Sequence, residues 1–175
     1  MIEPVSAADL VKVISLPKHK KVGKGEGQVV SALGATFSWK VKGGDTGYAF
    51  AVYEMTVEPG RGIPLHMHPF AEFFYVLEGC VDIMGIDAKG TLEWVPVAEG
   101  ESANAAINAP HGLLNRTDRT ARFLSVANFQ HETLFNEYSA ILEAVGQQTM
   151  SQQDQIEVFQ QVAAKYQGNS VQARE

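Results

Sequence analysis

The middle of the chain alternates short apolar runs with turn residues, a pattern typical of β-strands. From Thr36 onward the runs TFSWKVK and YAFAVYEMTV are separated by GGDTG, and EPGRG follows the second run. In that second run Tyr53, Met55 and Val57 alternate with polar neighbours, so their side chains are predicted to face the interior. Farther on, CVDIMG and TLEWVPV frame a predicted hairpin, and ARFLSVANF is predicted to be the closing strand.

After position 129 the apolar residues recur at helical spacing instead. One helix is predicted to end at Gly146, and a second to begin at Ser151 with Asp154 as its capping partner. Each helix carries an apolar stripe that must be covered. We therefore expect both helices to pack on the outer face of the strand region or across a dimer.

These changes of pattern divide the chain into three parts. Residues 1–35 are predicted to form an N-terminal arm with a short helix that begins at Ser6. Residues 36–129 carry the predicted strands, and residues 130–175 form a C-terminal helical extension.

The run AEFFYVLEG is apolar on both faces of its predicted strand. Glu72, Phe74 and Val76 share one face, whereas Phe73 and Tyr75 share the other. A strand that is apolar on both sides is expected to be buried on both sides. This pattern predicts that another element or a partner subunit covers the strand, and we expect a homodimer.

Charge and composition narrow the range of partners. The formal net charge of −6 disfavours nucleic acid as a partner, because the molecule as a whole repels phosphate. No apolar run reaches membrane-spanning length, and the first residues lack the pattern of a secretory signal. Cys80 is the only cysteine, so no intramolecular disulfide is possible. We expect a cytoplasmic protein that does not bind membranes.

The strongest chemical signal lies between Gly60 and Gly79. His66 and His68 are two residues apart, so both point to one face of an extended chain, and Glu72 keeps the even spacing. A lone buried carboxylate is costly, whereas a carboxylate beside two imidazoles suits a divalent metal. The stretch therefore predicts a metal site.

This stretch resembles the first signature motif of the cupin family, and every anchor position matches. The anchors are Gly60, His66, His68, Glu72 and Gly79. The segment from Gly100 to Asn115 is similar to the second cupin motif, with His111 at the histidine position. Ala106 stands where the family has proline, and Asn108 where it has glycine. Asparagine tolerates a left-handed backbone, so the second change is mild.

The resemblance implies a mainly β fold: a single cupin barrel of the RmlC-like, double-stranded β-helix or jelly-roll type, followed by the C-terminal α-helices. It also implies that His66, His68, Glu72 and His111 bind one metal at the mouth of the barrel. Three imidazoles and a carboxylate suit iron, manganese, nickel, copper or zinc, and the residues do not select among them. Four protein ligands leave positions open for a substrate or dioxygen.

The order of elements resembles single-domain, quercetin dioxygenase-like cupins, which implies a metal-dependent oxidoreductase with Glu72 as the general base. The substrate would be a small aromatic or enolic molecule in a mouth lined by Tyr53, Met55 and Phe74. Core packing uses the same residue types, so that lining has a purely structural alternative.

Two other functions stay open at this point, because fold does not determine function. One is a non-catalytic barrel that binds a metal and a small molecule. The other is a metal-dependent isomerase or lyase for a keto acid or sugar, which would need a cation such as Arg61 or Arg116 near the mouth. Asn115 is interpreted as a residue of a turn or of the surroundings of the metal. His131 lies outside both motifs and is assigned no role.

Overall fold

The computed structural model describes residues 19–146, 150–166 and 168–170. The short helix predicted at Ser6 lies outside the described residues. Two α-helices follow the main β region, α1 at Phe129–Val145 and α2 at Gln152–Lys165. The strands of the described residues are β1 Gln28–Ala32, β2 Ala35–Val41, β3 Ala51–Val57, β4 Gly62–Met67, β5 Glu72–Glu78, β6 Cys80–Ile86, β7 Leu92–Ala98, β8 Ser102–Ala105, β9 His111–Leu114, β10 Ala121–Ala127 and β11 Asn169–Ser170.

The strands form two antiparallel sheets. One sheet has the order β1-β2-β3-β10-β5-β8, and the other has the order β11-β4-β9-β6-β7. This arrangement confirms the mainly β fold with C-terminal helices. Strand β1 precedes position 36, so the sheet begins earlier than the predicted boundary. Its pairing with β2 runs in register from Gln28 opposite Trp39 to Ala32 opposite Ala35.

Strand β3 shows the alternation that its sequence predicts. Its buried and half-buried residues alternate without exception, and Tyr53 and Met55 are 2% and 1% exposed. Strand β5 differs from its prediction, because Phe73 and Tyr75 are 41% and 40% exposed. Among the described residues only one face of β5 is buried, and no described element covers the other face. The homodimer remains a prediction.

Helix α1 ends and helix α2 begins where the sequence predicts. Gly146 ends α1 in a left-handed conformation with φ of 88°. Ser151 caps α2, and Asp154 completes the capping box. Their hydrogen bonds satisfy amide groups that the helix itself leaves unpaired at its first turn.

The packing of α1 differs from the expectation of an outer face or a dimer contact. The ring of Phe135 lies 4.2 Å from the ring of Phe37 and 6.3 Å from the ring of Tyr53. Phe37, Tyr53 and Phe135 all line the central cavity, so α1 forms part of the wall of the interior. Phe159 of α2 packs behind Phe135 at 5.8 Å. The inward-facing aromatic rings thus supply the apolar surface that the helical stripes require.

A close approach of two strands brings the two sequence motifs together. A Cβ atom at Gly62 would lie 2.0 Å from the carbonyl oxygen of Leu113, so only glycine fits where β4 passes β9. In the same pairing His66 lies directly opposite His111. The strand register therefore places an imidazole from each motif side by side.

Candidate metal centre

Three imidazoles from the two motifs converge inside the barrel. His66 lies on β4, His68 follows that strand, and His111 opens β9. The ring of His111 is 4.4 Å from that of His66 and 4.6 Å from that of His68, and the last two rings are 5.4 Å apart. The prediction that these side chains can reach a common point agrees with this geometry.

Each of these rings is oriented by a carbonyl group of its own chain segment. In all three the Nδ1 atom lies 2.8 Å from a backbone oxygen two residues away. The oxygens belong to Pro64 for His66, Phe70 for His68 and Ala109 for His111. A carbonyl only accepts hydrogen bonds, so Nδ1 carries the proton and Nε2 presents a lone pair. Metal-binding histidines commonly show this arrangement.

The lone pairs of His68 and His111 meet the Glu72 carboxylate. The Nε2 atoms of both rings are buried, have no hydrogen-bond partner and lie 3.5 Å from Glu72 Oε2. Burial alone would lower the pKa of His111, but the Glu72 carboxylate raises it overall. Two lone pairs facing a carboxylate oxygen are unfavourable unless a positive charge lies between them. The donor set therefore fits one divalent cation.

The two oxygens of Glu72 have different surroundings. Oε1 accepts hydrogen bonds from the hydroxyl groups of Tyr53 and Ser125, the latter at 2.5 Å. Burial, followed by the charge of Glu72, raises the pKa of Tyr53 well above its ordinary value, so the phenol keeps its proton. Burial would raise the pKa of Glu72, but the surrounding imidazoles hold it well below its ordinary value. Glu72 is thus an ionised carboxylate whose Oε2 faces the imidazoles.

A fourth imidazole, which lies outside both sequence motifs and had no predicted role, belongs to the same centre. His131, in the first turn of α1, is 3% exposed. Its Nδ1 atom is 3.3 Å from Tyr53 Oη and 3.7 Å from Glu72 Oε1. Burial lowers the pKa of His131 to about 4, so the ring is neutral at pH 7. The sequence did contain a signal, because His131 lies on the same helical stripe as Leu134, Phe135 and Tyr138.

The five side chains form two overlapping groups of potential ligands. Among the described residues, one group is His66, His68 and His111, and the other is His68, Glu72 and His131. Within each group the potential ligand atoms lie within 4.8 Å of one another. His68 belongs to both groups, so the centre is one continuous cluster.

The predicted pocket residues line a small cavity at this cluster. Tyr53, Met55 and Phe74 all contribute to its wall, together with Phe135 from α1. The cavity has a volume of about 10 Å³, which is room for about one water molecule or ion. An organic molecule needs more space than this conformation offers.

Three of the remaining predicted residues lie away from the cluster. Asn115 is fully buried in a turn, where its side-chain amide donates to the carbonyl oxygens of Val57 and Arg119. Arg61 contacts Gln152, and neither Arg61 nor Arg116 lines the cavity. The structure thus gives Asn115 the role of a turn residue.

Asn108 connects the two motifs through the backbone. It adopts a left-handed conformation with φ of 59°, as its position in place of glycine suggested. Its amide donates to the carbonyl oxygen of His68 at 2.9 Å. This hydrogen bond joins the turn before His111 to the segment that carries His68.

Comparisons with known proteins agree with this architecture. A family model described as a cupin domain matches residues 53–127. The structure of the polyketide cyclase RemF from Streptomyces resistomycificus is 27% identical, covers 64% of this chain and 80% of its own, and has a TM-score of 0.55. A search of curated protein sequences finds no match. Among the described residues, no helix has the length and apolar character needed to span a membrane.

Two more distant structures show the same fold. A predicted oxalate decarboxylase from Thermotoga maritima is 19% identical, with 62% of this chain and 98% of that one covered and a TM-score of 0.54. An RmlC-like cupin from Shewanella frigidimarina is 12% identical, with 63% and 91% covered and a TM-score of 0.51. With the two motifs and their convergence in the barrel, these findings support the assignment of the chain to the cupin family.

Proposed function

We propose that this cupin is a metal-dependent enzyme that acts on a small aromatic or enolic molecule. The proposed ligands of its single divalent transition metal are His66, His68, Glu72 and His111. One observation carries the proposal: the buried Nε2 lone pairs of His68 and His111 have no partner and face the Glu72 carboxylate. Such a cluster is costly to bury unless it holds a cation.

When bound, a divalent iron, manganese, nickel, copper or zinc ion would supply Lewis acidity, and a redox-active ion would also activate dioxygen. The chain itself contributes orientation and a base. Each proposed histidine ligand has Nδ1 fixed by a carbonyl, so its Nε2 atom is directed without rearrangement. Glu72 Oε1 is held by the hydroxyl groups of Tyr53 and Ser125. Oε2 would therefore be the oxygen that binds the metal and that, when it is not bound, could take a proton from a substrate hydroxyl.

The leading reaction class is dioxygenase-like, in which both atoms of dioxygen enter the substrate. Its support is the donor set together with the apolar and aromatic walls that Met55 and Phe74 provide. The hydroxyl of Tyr53 is already used by Glu72, so this ring would contact a substrate mainly through its apolar face.

A second candidate is the cyclisation of an enolic substrate without dioxygen. The observation that favours it is the similarity to the polyketide cyclase structure, at 27% identity. An isomerase or lyase for a keto acid or sugar has less support, because no lysine or arginine is among the described residues that line the cavity. Such substrates would leave a carboxylate or phosphate without a cationic partner.

The small cavity favours a third possibility, a metal-binding barrel without catalytic activity. For catalysis, side chains around the cavity must move, and Phe135 is a bulky ring that α1 places in its wall. The catalytic and non-catalytic functions thus differ in whether a substrate enters the cavity.

Metal content is the first test. Wild type, His66→Ala and His19→Ala would be purified under reducing conditions without chelators and analysed for their elements. His19 is exposed and serves as the matched control. We expect one transition metal per chain in the wild type and in His19→Ala, and much less in His66→Ala. A wild type without stoichiometric metal that also fails to bind added metal would overturn the proposal.

The reaction class is tested next with the metal-loaded protein. Flavonols, other enols and polyketide-type enols would be supplied while oxygen consumption and product masses are recorded. Dioxygenation consumes dioxygen and adds two oxygen atoms, whereas cyclisation consumes none and releases water. Binding without turnover would support the non-catalytic barrel.

The proposed assembly is a homodimer that contacts β5 from outside, supported by the exposed rings of Phe73 and Tyr75. Light scattering after size exclusion gives the mass directly, and a monomer at micromolar concentration would contradict the dimer. The cytoplasmic location stays a prediction of the sequence.

A further inference from the structure

The direction of the hydrogen bonds around Tyr53 can be worked out from the chemistry of its partners. The phenol has one proton, and an ionised carboxylate only accepts, so Tyr53 donates to Glu72 Oε1. Its oxygen still has lone pairs that can accept. The contact from His131 Nδ1 to Tyr53 Oη, at 3.3 Å, therefore requires the proton to be on Nδ1.

The result is an ordered series of donors that ends on the carboxylate. His131 donates to Tyr53, and Tyr53 donates to Glu72 Oε1, where Ser125 is a second donor. Hydrogen bonds in such a series polarise one another, and burial strengthens them. All three side chains of the series are at most 3% exposed.

We propose that His131 is a positioning residue for Glu72, which it orients through Tyr53 so that Oε1 is occupied by hydroxyl donors and Oε2 is presented to the metal. This inference rests on the proposed metal site and adds to it a residue outside both cupin motifs. The residue comes from α1, so the helical extension helps to shape the centre.

The other neutral tautomer of His131 does not fit this series of hydrogen bonds. If Nε2 of His131 carried the proton, Nδ1 would have to accept a proton that Tyr53 has already given to Glu72. The contact with Tyr53 would then be between two lone pairs. Direct binding of the metal by His131 through Nε2 is the other arrangement to be separated, because His131 also belongs to a ligand group with His68 and Glu72.

Two near-isosteric substitutions separate these roles. In His131→Asn the side-chain amide nitrogen can take the place of Nδ1, whereas in His131→Gln it can take the place of Nε2. The affinity for Co²⁺ or Zn²⁺ would be measured by competition with a chromophoric chelator, and the Co²⁺ absorption spectrum would report the ligand set. We expect His131→Asn to stay close to the wild type, and His131→Gln to bind ~10–100-fold more weakly, the usual effect of losing a group that orients a ligand.

Tyr53→Phe tests the intermediate link. It should weaken binding about as much as His131→Gln, and the double variant should be no weaker than Tyr53→Phe alone, because both changes break one series. Tyr138→Phe is the matched control, since it removes another phenol hydroxyl, one bonded to the carbonyl oxygen of Gln155. Near-ultraviolet circular dichroism and thermal unfolding would establish that each variant is folded.

The outcomes are distinct. Binding kept in His131→Gln but lost in His131→Asn, with a changed Co²⁺ spectrum, would identify a direct ligand and overturn the proposal. Wild-type affinity in both variants would also overturn it. Nitrogen-15 NMR of the metal-free protein is independent of the metal: we expect the proton of His131 on Nδ1, and a proton on Nε2 would refute the positioning role. Failure of the wild type to bind metal would instead overturn the proposed function.

Discussion

The imidazoles of the barrel and the imidazole of the helix reach the same centre by different means. His66, His68 and His111 are each oriented by a carbonyl group two residues away in the chain. His131 is oriented by Tyr53, which is 78 positions away. The barrel part is thus locally determined, whereas the helix part depends on tertiary packing.

The barrel histidines and His131 of α1 therefore depend on different parts of the structure for their orientation. The barrel rings keep their orientation as long as their own turns and strands are formed. The orientation of His131 is lost whenever α1 moves relative to β3. A movement of α1 should therefore leave the proposed histidine ligands in place but change the hydrogen bonds around Glu72.

The largest expected effect comes from loosening the helix. Phe135→Ala removes a ring that is 1% exposed and should lower the free energy of unfolding by about 3–5 kcal/mol. Urea unfolding of the metal-free protein measures this. Val145→Ala, at an exposed position of the same helix, should have an effect within about 0.5 kcal/mol. Equal effects of the two changes would show that α1 does not depend on its contact with the barrel.

The next effect separates ligands from positioning residues. His68→Ala should weaken Zn²⁺ binding by more than ~100-fold, beyond the range typical for groups that only orient a ligand. The comparison is with His131→Gln in the same chelator competition. A smaller loss for His68→Ala than for His131→Gln would reverse the roles assigned to the two regions.

The pH dependence of stability gives a third, intermediate effect. The pKa of His131 is about 4 in the folded chain, against about 6.5 for an unperturbed histidine. As the pH falls from about 6.5 to about 4, the unfolded chain takes up a proton here that the folded chain does not, so the free energy of unfolding decreases. His131→Asn removes this contribution.

Urea unfolding of the metal-free proteins across this pH interval measures the effect. The stability of His131→Asn should fall less steeply than that of the wild type, and His19→Asn should follow the wild type. Parallel curves for the wild type and His131→Asn would mean that the helix imidazole is protonated as easily as an exposed one.

The smallest expected effect concerns the turn that joins the two motifs. Asn108→Gly should change stability by no more than about 0.5 kcal/mol, because glycine accepts φ of 59° without strain. Asn108→Val should cost about 1–2 kcal/mol, since a branched side chain disfavours the left-handed region. Thermal unfolding of both variants tests this, and equal melting temperatures would show that the turn can change its conformation.

The sequence was most informative where structure is determined locally. The even spacing of His66, His68 and Glu72, the alternation along β3, the end of α1 and the start of α2 depend on a few neighbouring residues, and the structure has each of these features. The second motif could be identified although two of its anchor residues differ, because Asn108 can adopt the left-handed backbone conformation that favours glycine.

Features that depend on tertiary packing could not be predicted from the sequence. The pattern of β5 predicted burial on both faces, but exposed aromatic residues such as Phe73 have the same sequence signature as buried ones. The packing of α1 against the interior, and hence the place of His131, follows from contacts among the rings at positions 37, 53 and 135. No local rule relates residues that lie so far apart in the chain.

One helix carries both Phe135, which lines the cavity, and His131, which contacts Tyr53. Any displacement of α1 that makes space for a guest also removes the imidazole from the phenol. Entry of a small molecule and the orientation of Glu72 would therefore depend on the same helix. The series of hydrogen bonds to Glu72 is complete only when α1 is packed against the barrel, so α1 would have to return to this position after a molecule has entered.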